Sequence, residues 1–330
     1  MRGETINEIL TKSPESSEVQ PSSGKTIKID GRGRIYAVAF LVDGKHVVSG
    51  GNEGKIRRWR VEDGTEVGAL MNAGGDVYNI AVSRDGKWIV SGTWNSVQVW
   101  NVESGKKESE IRGHNHCVNA VDMSPDSTKI ASGSEDRTAS VWSLSTGKLL
   151  LGPWEYDSNV FAVKFSPDGH FIATATWSSI LIYDGQDGNL VVNVPIKVTY
   201  SYNHSLAWSN NSKQLFVVSS GKIVCLNPST GATLSHHGDK YNRVALAGDG
   251  AFVAPSSDSS VSFWDATTQK QIGSVIEHTA YVNCMAISAN HAIVIGSNER
   301  ITLGSLCNAL PSSYCDSVST FESRARFAAQ

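Results

Sequence analysis

Short apolar runs separated by turn residues recur along this chain. The clearest example, residues 113–142, reads GHNHCVNAVDMSPDSTKIASGSEDRTASVW. It contains a run that starts at Val118, a turn around Pro125, a second run through Ile130, a polar turn, and a third run that ends at Trp142. Pro and Asp favour turn dihedrals, whereas Val, Ile and Trp fit a pleated, half-buried surface. The pattern therefore predicts three short strands joined by two turns.

The same pattern repeats over most of the sequence, although several copies lack some of its residues. The place of the closing aromatic is taken in turn by Trp59, Trp100, Trp142, Tyr183, Leu226, Trp264 and Gly304, at spacings of 41, 42, 41, 43, 38 and 40 residues. Turn signals such as Asp43-Gly44, Asp85-Gly86 and Asp249-Gly250 recur in step with these positions. A period of about 40 to 45 residues with four strands per unit is typical of propeller blades. Seven units predict an all-β, seven-bladed β-propeller.

Three short motifs resemble those of the WD-repeat (WD40) propeller family. They are Gly113-His114, the SPDG segment at residues 166–169, and Trp264-Asp265, and the resemblance covers residues 25 to 306. In that family each repeat supplies the outer strand of one blade and three strands of the next. The resemblance therefore implies that an N-terminal strand closes the ring. Residues 25–30 alternate polar and apolar side chains and would cover the edge of the strand around Ile301.

The resemblance also implies a structural role for four residues of the third repeat. In the family, the His of the Gly-His pair, a Ser or Thr on the second strand, an Asp in the next turn and the closing Trp form a hydrogen-bonded chain, which we call the lock. Its members here are His114, Ser132, Asp136 and Trp142. A buried indole N–H and imidazole need such partners, so we expect these residues to be structural and not catalytic.

Partner-contacting residues of the family commonly line the top rim of the ring. One set of these rim positions, with one residue from each repeat, lies at a bulge in the first strand, and we call it the bulge column. Its residues here are Tyr36, Tyr78, Asn119, Phe161, His204, Asn242 and Asn283. Further candidates for partner contact lie two residues before a position of the bulge column, and they are Arg34, Tyr202 and Tyr281. Trp94 and Trp177 replace the Asp of the lock, and two interpretations stay open for them: packing over a neighbouring blade, or anchoring a partner.

Composition narrows the possible functions. The formal net charge of -3, without a polybasic run, predicts no nucleic-acid partner, and no stretch reaches the roughly 18 apolar residues of a membrane span. The five cysteines lack C-x-x-C spacing and favour a reducing compartment, so we expect a cytoplasmic location, with a nuclear one as the alternative.

The sequence lacks the catalytic motifs that were sought. The histidine pairs His114-x-His116 and His236-His237 have no third metal ligand beside them, so no catalytic residue, metal or cofactor is predicted.

The predicted organisation has three parts: a disordered segment at residues 1–24, the propeller at residues 25–306, and an irregular tail at residues 307–330. We expect a non-catalytic platform that holds protein or peptide partners, as a monomeric propeller within a complex. Two alternatives stay open. One is the sensing module of a larger signalling protein, and the other is a propeller enzyme or cofactor binder of the quinoprotein type, which would need ligands in a central pocket.

Overall fold

The computed structural model describes residues 26–30, 33–198, 206–238, 240–247 and 250–315. Within these ranges the regular secondary structure is almost entirely β-strand, as predicted, and the strands form seven antiparallel sheets. The predictions for residues 1–24, Tyr202 and His204 lie outside the described residues.

The first strand, β1 (Ile27–Asp30), is separated in sequence from the sheet that it joins. The next five sheets in chain order, blades 1 to 5, hold four strands each. Blades 1 and 2 contain β2 (Ile35–Phe40), β3 (His46–Gly51), β4 (Lys55–Arg60), β5 (Met71–Asn72), β6 (Asn79–Val82), β7 (Trp88–Gly92), β8 (Ser96–Asn101) and β9 (Lys107–Arg112). Blade 3 contains β10 (Val118–Met123), β11 (Lys129–Ser134), β12 (Thr138–Ser143) and β13 (Leu149–Glu155).

Blades 4 and 5 continue the same order, from the innermost strand outward. Their strands are β14 (Ala162–Phe165), β15 (Phe171–Ala175), β16 (Ser179–Asp184), β17 (Leu190–Pro195), β18 (Leu206–Trp208), β19 (Leu215–Ser219), β20 (Lys222–Leu226) and β21 (Thr233–His237). Blade 6 has five shorter pieces: β22 (Arg243–Leu246), β23 (Phe252–Ser256), β24 (Ser260–Val261), β25 (Trp264–Asp265) and β26 (Ile276–Glu277). Blade 7 contains β27 (Cys284–Ile287), β28 (Ala292–Gly296) and β29 (Arg300–Ser305), followed by a 3-10 helix (Leu306–Asn308) and α1 (Ser312–Cys315).

The hydrophobic core is divided among the contacts between neighbouring blades. Each of the seven clusters of buried apolar side chains is shared by two adjacent sheets. The middle strands are therefore covered on both faces, and every residue of β11 after Lys129 is buried. The outer strand β13, by contrast, is mostly exposed. This burial explains why the middle strands read as continuous small and apolar runs instead of alternating ones.

Strand β1 forms the outer edge of blade 7. It pairs antiparallel with β29, in a register that runs from Ile27 opposite Leu303 to Asp30 opposite Arg300. Ile29 is buried in the cluster that joins blade 7 to Trp59 of blade 1. The segment that the sequence analysis assigned to ring closure thus links the two ends of the propeller by backbone hydrogen bonds and by apolar contact.

A proline explains why the third strand of blade 6 is divided. Pro255 lies opposite Ser262, and its carbonyl accepts a hydrogen bond from the Ser262 N–H at 3.0 Å. Proline has no N–H to return to the Ser262 carbonyl, so the ladder is interrupted at this pair. The strand is consequently split into β24 and β25.

The segment after β29 is packed against blade 6. Leu306 and Leu310 are buried in the same cluster as Phe252, and the Tyr314 hydroxyl donates a hydrogen bond to Asp265. Ala309, Leu310 and Tyr314 thus contact the propeller, the boundary at residue 306 stays a prediction, and residues 316–330 of the predicted tail lie outside the described residues. The sequence pattern did not indicate these contacts, because the apolar residues of the segment follow no strand period.

Candidate interaction site on the top rim

The four lock residues form one continuous hydrogen-bond chain inside blade 3. The Nδ1–H of His114 donates to Asp136 Oδ2 at 2.9 Å, and its Nε2 accepts from the Ser132 hydroxyl at 2.7 Å. The same hydroxyl oxygen accepts the indole N–H of Trp142 at 2.8 Å. A side chain at Gly113 would collide with the Trp142 ring, which explains the glycine of the Gly-His pair. Each buried polar group of the lock is thus satisfied.

Asp136 joins the lock to the backbone of the rim. Its carboxylate accepts hydrogen bonds from the Asn115 N–H at 2.9 Å and from the Thr138 hydroxyl at 2.6 Å. Burial alone would raise the pKa of this carboxyl, but the hydrogen bonds from His114 and Thr138 outweigh it and hold the pKa well below its ordinary value. The loop before β10 and the turn after β11 are consequently fixed to one another.

Other blades keep only part of this arrangement. Trp59 and Trp100 donate to Ser49 and Ser91 at 2.8 and 3.0 Å, respectively. In blade 4 the hydroxyl of Tyr156 donates to Thr174 Oγ1 at 3.0 Å. Tyr156 lies 18 residues before Thr174, the same separation as between His114 and Ser132, so it takes the place of the histidine. This substitution was not predicted, although the spacing of 18 residues is visible in the sequence.

The turns that carry Trp94 and Trp177 are one residue shorter than the turn of Asp136. Trp94 precedes Trp100 by six residues, as Asp136 precedes Trp142, but follows Ser91 by three residues, whereas Asp136 follows Ser132 by four. The base of the Trp94 turn is closed by a contact of 2.9 Å between the hydroxyls of Thr93 and Ser96. The base of the Trp177 turn is closed in the same way by Thr176 and Ser179, at 3.0 Å. Both indoles are therefore placed at the tips of tight turns and remain 55% and 46% exposed.

Aromatic side chains on this rim contact one another in pairs. Trp94 lies 4.9 Å from the His116 ring, which precedes β10 of the neighbouring blade. Trp177 meets Phe161 edge to face at 5.1 Å, and Tyr36 stacks on Tyr78 at 6.0 Å with an angle of 5° between the rings. Each pair restricts the rotamers of its members, which lowers the entropy cost of presenting an aromatic surface.

The bulge column divides into exposed and buried members. The register of β2 and β3 shifts at Tyr36, and that of β10 and β11 shifts at Asn119, so both residues lie at bulges. Tyr36 and Tyr78 are partly exposed, whereas Asn119 and Phe161 are fully buried and have no surface to offer a partner. Positions of one column can therefore be exposed or buried, and the column alone does not indicate which.

Two asparagines of the column make contacts within the rim. Asn242 donates to Asp258 Oδ1 at 2.6 Å, and Asn283 donates to Asn298 Oδ1 at 3.2 Å. Near them, the Tyr281 ring is 41% exposed and lies 5.2 Å from the guanidinium of Arg243. The accessible aromatic and cationic candidates, which we call the exposed rim set, are Arg34, Tyr36, Tyr78, Trp94, Trp177 and Tyr281.

Below the rim, the innermost strands surround a central cavity of about 420 Å³. The residues that line it include Phe40, Phe165 and Trp208. Two charged residues of the lining, Asp122 and Lys164, form an ion pair at 3.2 Å.

On the rim itself, the side chains of His116, Cys117 and Glu135 bring three potential metal ligands together.

In the part of the chain that the structure describes, no helix has the length and apolar character needed to cross a membrane.

The fold and the lock together define a seven-bladed β-propeller built from repeats. The family model for the WD domain, G-beta repeat, matches four segments of the chain, at residues 24–60, 64–101, 105–143 and 150–184. These four matches, combined with the seven blades, confirm the predicted WD-repeat β-propeller.

Several curated proteins are similar to parts of this chain. "Small ribosomal subunit protein RACK1y" of Oryza sativa subsp. japonica is 35% identical over 136 residues, 39% of this chain and 40% of the relative. "Autophagy-related protein 16" of Arabidopsis thaliana is 24% identical over 266 residues, 78% of this chain and 52% of the relative. "Actin-interacting protein 1" of Drosophila melanogaster is 30% identical over 195 residues, 57% of this chain and 32% of the relative. The matches thus span about half or less of these relatives.

Proposed function

We propose that this propeller is a non-catalytic platform that binds a protein or peptide partner on the exposed rim set. The observation that carries the proposal is the exposure of Trp94 and Trp177 at the tips of equivalent rim turns, in blades 2 and 4. Tryptophan, tyrosine and arginine dominate the binding energy of protein interfaces, because a large rigid ring buries much area at little entropy cost.

The packing around these rings supports a binding role over a purely local one. A tryptophan that served only to cover a neighbouring blade would gain most by burying its whole ring, since burial of apolar area is what stabilises it. Trp94 packs against His116 and Trp177 against Phe161, yet about half of each indole's surface is open to solvent. Because each ring is packed against a neighbour and is still about half exposed, both are suited to act as anchors.

The comparisons support the general class of this function. The name of one relative, actin-interacting protein 1, describes an interaction with another protein. We extend to this chain only the class of activity, which is protein binding by a propeller. The platform would act as a single propeller within a complex, and the free thiols of Cys117, Cys225 and Cys284 suit a cytoplasmic location.

Affinity capture on the purified chain, followed by mass spectrometry, tests the proposal. We expect the wild-type chain to retain a defined set of proteins that the double variant Trp94→Ala, Trp177→Ala no longer retains. The matched control is Leu190→Ala, which removes an apolar side chain that is 53% exposed on the outer strand β17, away from the rim. Retention of the same proteins by the double variant would refute the rim as the binding site.

A further inference from the structure

Three side chains with metal-binding chemistry meet on the rim between blades 2 and 3. An imidazole nitrogen of His116, the Cys117 thiol and a Glu135 carboxylate oxygen all lie within 4.8 Å of one another. His116 and Cys117 precede β10, and Glu135 lies in the turn between β11 and β12. The histidine pair noted in the sequence is divided: His114 enters the lock, whereas His116 joins this cluster.

The backbone around the cluster is fixed by hydrogen bonds. The Glu135 N–H donates to the Cys117 carbonyl at 2.9 Å, and the Ser134 hydroxyl donates to the His116 carbonyl at 3.2 Å. The lock residues His114 and Asp136 flank the cluster in sequence and join the same two segments. The two chain segments that carry the three side chains are therefore held together before any ion binds, which reduces the ordering cost of binding.

The cluster contains an unsatisfied nitrogen. His116 Nδ1 is buried and lies 2.8 Å from Glu135 Oε2, yet the two atoms are not aligned for a hydrogen bond. A tetrahedral Zn²⁺ bound by nitrogen, oxygen and sulfur would separate its ligand atoms by about 3.3 to 3.6 Å, given its usual bond lengths of about 2.0 to 2.3 Å. Modest rotation of the His116 and Glu135 side chains, which are 46% and 22% exposed, would create this spacing.

The kinds of ligand favour one class of ion. Thiolate and imidazole bind zinc and similar transition metals, whereas Mg²⁺ and Ca²⁺ prefer ligand sets made of oxygen. A Cys117 thiolate and a Glu135 carboxylate together carry two negative charges, which balance a divalent cation. Two neighbours would support the ligands: the Tyr78 side chain hydrogen-bonds with the thiol, and Trp94 packs on the imidazole.

We propose that His116, Cys117 and Glu135 form a rim site for a divalent transition-metal ion of the zinc class. Three protein ligands leave one tetrahedral position open to water or to a side chain of a partner. Cys117 loses its thiol proton to solvent when the sulfur binds the ion, so metal binding releases one proton. This proposal does not depend on the proposed function, because the ion would bind to the free propeller.

Cobalt substitution tests the site in the full-length chain. After treatment with a chelator, the chain is titrated with Co²⁺ and its near-ultraviolet and visible absorption is recorded. We expect one Co²⁺ per chain to produce a thiolate-to-cobalt charge-transfer band, together with the intense visible bands of tetrahedral cobalt. Added Zn²⁺ should remove both signals. The absence of a charge-transfer band at saturating Co²⁺ would overturn the proposal.

Matched variants separate this site from other thiols and histidines. Cys117→Ser should abolish the charge-transfer band, whereas substitution of the exposed thiol, Cys307→Ser, should leave it unchanged. Because Cys117 is buried, its substitution also perturbs the packing of the fold, so Glu135→Gln provides a second test. It should weaken Co²⁺ binding by at least about tenfold, the smaller loss seen even for residues that only support a ligand. His46→Ala removes another histidine–carboxylate pair and should bind Co²⁺ normally. A band that survives Cys117→Ser, or undiminished affinity in Glu135→Gln, would contradict the assignment.

Discussion

The ring of Trp94 lies against the imidazole of His116, with 4.9 Å between the ring centroids and 40° between the planes. This contact joins the turn between β7 and β8 of blade 2 to the loop before β10 of blade 3. The indole nevertheless remains 55% exposed. Both interpretations of Trp94 from the sequence therefore have a physical basis: one side of the ring packs on the next blade, and the other side is available to a partner.

Truncation of Trp142 should severely destabilise the propeller. Its ring is 8% exposed and packs between blades 2 and 3, and its indole N–H donates to Ser132. Replacement of a buried tryptophan by alanine typically costs about 3 to 5 kcal/mol, because the cavity is filled only in part. We expect Trp142→Ala to lower the free energy of unfolding by that amount in a urea titration. A loss below about 1 kcal/mol would contradict its place in the core.

Removal of β1 should destabilise the ring at the contact between blades 7 and 1. Deletion of residues 25–30 exposes the edge of β29 and removes Ile29 from the shared cluster. We expect a lower and less cooperative thermal transition in calorimetry. Ile29→Ala alone should cost about 2 to 5 kcal/mol, the usual range for a buried isoleucine. The exposed neighbour Lys28→Ala is the control, and an unchanged melting transition in the deletion variant would refute the role in closure.

The contribution of Asp136 to stability should depend on pH in a defined direction. Its pKa in the folded state is lowered from an ordinary value of 3.8, so its ionised form stabilises the fold. This stabilisation is complete above the unfolded pKa and is lost as the pH falls through the folded pKa. We expect Asp136→Asn to be less stable than the wild type at pH 7, by about 1.5 to 3 kcal/mol, as for a hydrogen bond to a charged group.

The free energies of unfolding of the wild type and of Asp136→Asn should converge in acid. Below pH 3.8 the difference in unfolding free energy between wild type and Asp136→Asn should begin to shrink, because the unfolded wild type takes up a proton that the folded state does not, and it should approach zero once the pH falls below the lowered folded pKa. Denaturant titrations at several pH values measure this difference. A difference that stayed constant from pH 7 to strongly acidic pH would show that the charge of Asp136 does not contribute to the lock.

The seven-bladed fold could be predicted because its signals are local and repeated. Turn residues such as Asp43-Gly44 fix the hairpins, and a closing aromatic such as Trp100 recurs with the period of one blade. Each such signal depends on a few neighbouring residues, and seven copies reinforce one another. The division of β24 from β25 also has a local cause, the missing N–H of Pro255.

The details of the rim could not be predicted in the same way. Asn119 and Phe161 fall in the expected column, yet both are fully buried, Asn119 with a hydrogen bond to the Val160 carbonyl and Phe161 against Trp177. His116 and Glu135 meet only through the register of the hairpin between them and through the lock. The absence of a residue from the Trp94 turn becomes apparent only when the strands on both sides are paired. These features depend on packing between elements, about which a single sequence pattern carries little information.

The most direct test of the account is the affinity of the propeller for a partner recovered by capture. Isothermal titration calorimetry with that purified partner would compare wild type, Trp94→Ala, Trp177→Ala and Leu190→Ala, with a thermal melt of each variant. We predict that each tryptophan variant binds at least about tenfold more weakly, the loss expected for an interface anchor, while its melting temperature is unchanged. Leu190→Ala should bind as the wild type does. Equal affinities in all four proteins, or a loss of binding that accompanies a loss of folding, would contradict the rim as the interaction site.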